Sequence, residues 1–402
     1  MSDRIIGAQG ATAGDRPNWG AVFSMSLGVF GLVGAEFLPA SLLTPMAAEL
    51  GVSEGMAGQA VTATAAVALV TSLTITVATR RIDRRFVLLG FSLLLVLSNL
   101  LVAMAPNLPL LLAGRILLGV ALGGFWTLSA ATMMRLVPEA YVARALSVMF
   151  SGVSAATVFA APLGSYLGEV AGWRNVFIAA AVLGAVAFFV QLATLPSLPP
   201  RGQSRFGTLV EVLARPAVAV AMLAILLVFT GHFAFFTYIR PFLETVTHVG
   251  FTGVSVILLG FGIATFFGNY LGAFLLERSM RLTLALMPLV MGTLALLLAF
   301  FGGSLAADAA MVALWGLVFG AVPVAWSTWI TRAVPDEAES AGGLFVAAIN
   351  FAIATGAAAG GALVDLAGVG TVFAASGAIL IVAALMIVLG VQTKPAVAAE
   401  AV

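Results

Sequence analysis

Gly164-Ser165-Tyr166-Leu167-Gly168-Glu169-Val170-Ala171-Gly172, running on to Val176-Phe177, has a counterpart 196 residues later. There Gly360-Gly361-Ala362-Leu363-Val364-Asp365-Leu366-Ala367-Gly368 runs on to Val372-Phe373. Small residues, an acid and a closing Gly recur in the same order. Further matches fall at the same offset or one residue from it: Arg135-Leu136-Val137-Pro138-Glu139 recurs as Arg332-Ala333-Val334-Pro335-Asp336, and Arg81 with Arg84 recurs as Arg278 with Arg281. The chain reads as one unit, duplicated.

What that unit is made of follows from composition. Of 402 residues 62% are hydrophobic and 9% charged, against ~45–50% and ~25% in soluble domains. At ~20 apolar residues per membrane-crossing helix, the chain supplies roughly a dozen spans and little else. Apolar runs bounded by charges, Pro or Gly lie near 19–44, 56–79, 86–105, 108–133, 145–168 and 175–195, then 216–239, 252–276, 282–302, 308–331, 341–363 and 371–391. Between the two sets lies a stretch rich in Pro, opening Pro196-Ser197-Leu198-Pro199-Pro200 and carrying Arg201, Arg205 and Arg215, which reads as a solvated linker. The expected organisation is an all-α membrane protein: a stub over 1–16, a six-helix half over 17–195, a linker over 196–215, a second half over 216–391 and a tail over 392–402. The stub is polar, and the first apolar stretch is too long for a removable signal, so it is expected to stay as a membrane helix.

Orientation follows from the bias of Lys and Arg toward cytoplasmic loops. With both termini inside, that face holds Arg4, Arg16, Arg80, Arg81, Arg84, Arg85, Arg135, Arg144, Arg201, Arg205, Arg215, Arg278, Arg281, Arg332 and Lys394. The other face holds only Arg174 and Arg240, with Arg115 inside a span. A miscounted span would scramble this asymmetry. The net charge of +1 gives no field to recruit nucleic acid, and the absence of Cys with only two His excludes disulfides and thiolate metal sites. No phosphate-binding glycine loop is present, so any work is driven by a gradient. No nucleophile, metal cluster or cofactor motif points to an enzyme, and a pure receptor or scaffold would need no buried titratable group.

Ionisable side chains at bilayer depth cost at least ~2.5–3.5 kcal/mol, so each asks for a function. Three stand out: Glu36, Arg115 and His232. Glu36 lies past the middle of the first span and Arg115 before the middle of the fourth, which runs the other way. Both fall at one depth on the outer side and can pair. His232 is Glu36 plus 196, at the matching place in the seventh span. Two readings stay open for the first two: a static pair that fixes packing, or a carboxyl that takes and loses a proton beside an arginine. His232 is either a neutral core histidine or a second proton site.

Several stretches carry a resemblance. Arg115-Ile116-Leu117-Leu118-Gly119 resembles the R-x-x-x-G of the fourth helix in drug and sugar proton antiporters of the major facilitator superfamily. Thr79-Arg80-Arg81-Ile82-Asp83-Arg84-Arg85 sits where that superfamily has its basic G-x-x-x-D-R-x-G-R-R loop, with Arg80 in place of the motif's acid and Thr76 in place of its first Gly. The likeness makes Arg81, Asp83, Arg84 and Arg85 a gating loop. Ala161-Pro162-Leu163-Gly164 resembles a Gly-Pro antiporter motif with Ala for the first Gly. More closely, Arg16-Pro17-Asn18-Trp19, Glu36-Phe37-Leu38-Pro39, Ser41-Leu42-Leu43-Thr44-Pro45-Met46, Gly172-Trp173-Arg174-Asn175-Val176-Phe177, Phe233 to Pro241 and Trp326 to Arg332 resemble the bacterial purine ribonucleoside efflux pumps.

The resemblance implies the major facilitator fold, with parallel repeats about an axis along the membrane normal and substrate held between them. It also implies export of nucleosides such as inosine and guanosine across the inner membrane, driven by protons and without a cofactor, by a monomer in the lipid bilayer. A sugar exporter of the arabinose type or a multidrug exporter is the alternative on the same fold. In such a fold polar groups of the first, fourth, seventh and tenth spans would face the cavity. Phe125, Trp126 and Thr127, Phe236 and Tyr238, Trp326, and the amides Gln59 and Asn350 form the candidate substrate set, suited to a planar, hydrogen-bonding solute. The other reading of each aromatic is core or interfacial belt. Small-xxx-small pairs at Gly119/Gly123, Gly164/Gly168, Gly268/Gly272 and Gly356/Gly360 are expected to bring helices close.

Overall fold

The computed structural model describes residues 17–138, 141–199, 211–334 and 338–391. The expected stub (1–16) and tail (392–402), most of the linker (200–210), and Glu139, Pro335 and Asp336 of the repeated loop lie outside the described residues. The first half comprises α1 (Trp19–Ser41), α2 (Leu43–Leu50), α3 (Glu54–Ala78), α4 (Arg84–Ala103), α5 (Leu108–Leu136), α6 (Val142–Ala171) and α7 (Trp173–Thr194). The second comprises α8 (Pro216–Thr237), α9 (Ile239–Thr245), α10 (Phe251–Arg278), α11 (Met280–Phe301), α12 (Leu305–Ala333), α13 (Ala338–Ala367) and α14 (Val369–Gly390). All but α2 and α9 are long and apolar enough to cross a membrane, giving 12 spans among the described residues. The expected fold class is the one observed.

Local signals start and stop these helices. Side chains of Asn18, Ser53, Asp83, Asn107 and Ser279 accept hydrogen bonds from first-turn N–H groups of α1, α3, α4, α5 and α11, satisfying donors that would otherwise be orphaned. Gly172 and Gly368, which close the two repeated segments, take φ of 86° and 82°. That left-handed geometry favours glycine and turns α6 into α7 and α13 into α14 within one residue.

The first and seventh spans are shorter than expected, because the runs read as 19–44 and 216–239 break at Leu42 and Tyr238. Pro45 and Pro241, 196 residues apart, explain both breaks. Neither has an N–H to give the carbonyl four residues earlier, Ser41 or Thr237, so α1 and α8 end there and short helices α2 and α9 leave at an angle.

Equivalent helices pack alike in the two halves: α1 on α6 and α8 on α13, α3 on α5 and α10 on α12, α4 on α7 and α11 on α14. The small residues do what their spacing predicts. A Cβ on Gly123 would overlap the Ala68 carbonyl of α3, and one on Gly268 the Leu317 carbonyl of α12. The halves meet along α3 against α13 and α6 against α10. The ends of the bundle are termed the linker end, where Asn18 N–H donates to the Leu136 carbonyl at 3.0 Å and its side-chain amide to that of Thr194 at 3.3 Å, and the distal end, where α2 and α9 lie.

Candidate transport site between the two halves

Glu36 of α1 faces the second half. It borders a void of about 10 Å³ closed by Phe37, Ala40 and Val61 on one side and Phe233, Phe236, Thr237 and Ile353 on the other. That is about the space one water needs. Phe37 meets Phe236 edge-on at 5.5 Å and seals one wall. A carboxyl therefore sits on the seam along which the halves must part.

Arg115 of α5 is fully buried. Its Nη1 donates to the Ala35 carbonyl at 2.8 Å and its Nε to the Ala60 carbonyl at 3.2 Å, while the Thr64 hydroxyl donates to the Arg115 carbonyl at 3.3 Å. The two residues lie at one depth, yet the expected ion pair is not formed: among the described residues no carboxylate oxygen lies within bonding distance of this guanidinium. At 3.6 residues per turn, neighbours on a helix point about 100° apart. α5 approaches α1 from inside the first half, while Glu36 is turned outward to the seam. Arg115 thus ties α1 and α3 to α5, and its Nη2 has no hydrogen-bond partner.

His232 of α8 stands apart from Glu36, behind Phe233 and Phe236, and is 2% exposed. Its Nδ1 accepts from Trp315 Nε1 at 3.0 Å, and its ring stacks on Phe319 with centroids 3.3 Å apart and planes 1° apart. Indole nitrogen only donates, so Nδ1 must carry no proton for this bond to form. The arrangement is that of a neutral histidine fixed in an aromatic core.

The remaining candidates divide. Thr127 donates to the Gly123 carbonyl at 2.8 Å and also reaches that of Ser72 at 3.2 Å. Gln59 reaches the Gly55 carbonyl at 3.4 Å, and the Asn350 amide donates to Val346 at 3.0 Å. Tyr238 is fully buried, with its hydroxyl donating to the Ala357 carbonyl at 2.8 Å. Phe125 and Trp326 are core residues of the first and second halves. Phe236 walls the Glu36 void. Trp126, half-buried like Thr127 and Gln59, stacks on Phe150 at 6.1 Å, which borders open space.

That space is a cavity of about 510 Å³ between α6 and α10, toward the linker end, lined by Ser147, Phe150, Ser151, Ser154, Phe159, Ile263, Phe266 and Tyr270 among others. Sequence reasoning missed these residues because they lie on the fifth and eighth spans. The spacing of Ser147, Ser151 and Ser154, a run of hydroxyls along one face of α6, is the signal that would have found them. Nearer the distal end α6 and α10 close up, with Gly262 against the backbone of Thr157 and Val158.

The basic loop at the linker end is held to the chain that follows α7. Asp83 accepts from the N–H groups of Arg85 and Leu198, each at 2.8 Å, and from the Ser197 hydroxyl at 2.5 Å. Burial pushes its carboxyl up, but these bonds and the charge of Arg135 outweigh that and hold it below the usual range. Arg84 donates to the Thr79 carbonyl at 3.2 Å and Arg85 to that of Leu192 at 2.8 Å, whereas Arg81 is exposed.

Residues 25–346 match the family model for the Major Facilitator Superfamily. The purine ribonucleoside efflux pump NepI of Escherichia coli strain K12 is 49% identical over 394 residues, covering 98% of this chain and all of that protein. The NepI of Shigella boydii serotype 4 (strain Sb227) is 48% identical over the same length. Among solved structures, a bacterial homologue of the human lysosomal transporter Spinster, inward-facing and unoccupied, superposes with a TM-score of 0.75 at 14% identity, covering 94% of this chain and 97% of that one. A mutant form of the nucleoside transporter NupG does so with a TM-score of 0.76 at 14% identity, covering 92% and 99%. With a twelve-span bundle in two matching halves and a near full-length likeness to efflux pumps, the chain belongs to the Major Facilitator Superfamily and is a transporter, not an enzyme.

Proposed function

We propose that this transporter exports purine ribonucleosides such as inosine and guanosine across the bacterial inner membrane in exchange for protons. The observation that carries this reading is the 49% identity over 98% of the chain with a purine ribonucleoside efflux pump. The basic residues favour a cytoplasmic linker end, which makes the closed distal end the outer face and this conformation inward-facing. A nucleoside then enters from the cytoplasm beside the α6/α10 cavity, where Trp126 and Phe150 offer stacking faces and the serine stripe offers hydroxyls.

Glu36 is the proton carrier in this scheme because it sits where the halves separate, exposed to one side and then the other. Arg115 holds the backbone next to it and keeps one donor uncommitted. His232 has no part in the proton cycle, since its Nδ1 is committed to Trp315. The solute is neutral, so each proton moving inward carries charge, and 100 mV of membrane potential adds ~2.3 kcal/mol per proton to the export gradient. The monomer suffices for this cycle.

The test is inosine uptake into proteoliposomes under an imposed proton gradient, with arabinose and a cationic dye in parallel. Inosine accumulation that collapses with a protonophore is expected. Movement of arabinose or dye without inosine would overturn the substrate and favour a sugar or multidrug exporter.

A further inference from the structure

At the distal seam Thr44 of α2 stands between carboxyl groups from different halves. Its Oγ1 lies 3.1 Å from Glu54 Oε1, at the start of α3, and 2.6 Å from Glu244 Oε2, on α9. A threonine hydroxyl carries one hydrogen and two acceptor lone pairs, and an ionised carboxylate has nothing to donate. One of the two contacts is completed by the Thr44 hydrogen; the other becomes a full hydrogen bond only if a carboxyl group keeps its own. We propose that Glu54 and Glu244 share one retained proton across Thr44, so that the closed distal seam is a proton-binding site separate from Glu36.

The surrounding charges fit a retained proton. Arg240 of α9 is the cation of the cluster: its Nε donates to Glu244 at 2.7 Å, its Nη1 to the Ser41 carbonyl at 2.6 Å, and its Nη2 stands 3.8 Å from Glu169 of α6. Asp365 of α13 is satisfied separately, accepting from the Ser53 hydroxyl at 2.7 Å and the Gly55 N–H at 3.2 Å at the N-terminus of α3, where negative charge is favoured. α1 presents only its Ser41 carbonyl, and the turn after α8 the Tyr238 hydroxyl, bound to Ala357. α10 and α14, which also touch α9, begin without ionisable residues; His248 lies in the loop beyond α9, and the buried Asp308, in the first turn of α12, accepts from the Thr247 hydroxyl. One arginine cannot balance both glutamates as well as Glu169; a shared proton lowers the excess negative charge by one. Parting the seam takes Glu54 with one half and Glu244 with the other, so the bridge through Thr44 is broken and the proton leaves to water. Acid on the distal side therefore favours the closed state.

The proposal does not depend on which solute is carried; it takes from the transport reading only that the seam opens. The chain has no cysteine, so Met104→Cys and Leu305→Cys, at exposed distal positions on the two halves, can carry spin labels in the full-length protein in lipid nanodiscs without substrate. From about pH 5 to about pH 8 the open-to-closed ratio should rise, by up to about tenfold per pH unit. Glu54→Gln supplies a permanent donor to Thr44 and should stay closed throughout. Thr44→Val should lose the pH response and Thr44→Ser keep it, a pair that decides the matter even if the glutamine variant folds poorly. In a Glu36→Gln background the response should persist. The proposal is overturned if the parent ratio does not move with pH, if Thr44→Val responds like the parent, or if Glu36→Gln alone abolishes the response. Failure of inosine transport would leave this result untouched.

Discussion

Arg115 makes two charge-assisted bonds to main-chain carbonyls, and their geometry depends on a planar fork that lysine lacks. Arg115→Lys should lower stability by roughly 1.5–3 kcal/mol, read as a lower unfolding temperature in detergent, even though the charge is kept. Glu36→Gln should do the reverse: the fold stays intact and nucleoside exchange down its gradient continues, while uphill accumulation driven by protons is lost. Accumulation at the parental rate would remove Glu36 from the proton path. These residues were legible in the sequence because a charge stands out in an apolar run. Their contacts were not. A helix that is apolar around its whole circumference gives no signal of rotation, so the sequence did not show that the Thr127 hydroxyl, the Gln59 amide and the Tyr238 hydroxyl each reach a backbone carbonyl. The same blindness hid that Arg115, expected to be able to pair with Glu36, gives its hydrogen bonds to the Ala35 and Ala60 carbonyls.

At the level of elements, length and boundaries were readable, because each span is a run of apolar residues closed by a charge, a capping side chain or a glycine. The breaks at Leu42 and Tyr238 were written in Pro45 and Pro241, yet a hydropathy reading runs through a proline without noticing its missing N–H. The short helix α2 is fixed on the distal face by Glu49, which takes the Trp173 Nε1 hydrogen at 2.6 Å and the Arg174 Nε hydrogen at 2.8 Å. The bond from Arg174 outweighs desolvation and holds the Glu49 carboxyl below the usual range. A folded value below the unfolded one stabilises the fold above the ordinary glutamate value of about 4.3 and ceases to do so as pH falls through the lowered value. Glu49→Gln should therefore melt below the parent at neutral pH, by a small margin because the pair is half-exposed, and the two should converge in acid.

Across the whole molecule, duplication was legible from two nine-residue segments, and the structure repeats it down to the closing glycines. What no pattern in one chain reveals is which faces of the halves meet. At the distal seam the glycines of α3 press directly on the second half: a Cβ on Gly55 would overlap the Gly361 carbonyl oxygen, and one on Gly58 the Tyr238 hydroxyl. Gly55→Ala should thus wedge the seam and shift the molecule toward its distal-open form, visible as a longer distance between distal labels and weaker binding of nucleoside from the linker side. An unchanged distance would mean that the halves slide past the added methyl.

Asp365 reaches across that seam to accept the Gly55 N–H at 3.2 Å, so the first turn of α3 takes part of its cap from the other half of the protein. Each time the halves part that cap is withdrawn, and the amide is bare to water. Deuterium uptake at this one position keeps count of openings, and a single peptide bond becomes the clock of the transport cycle.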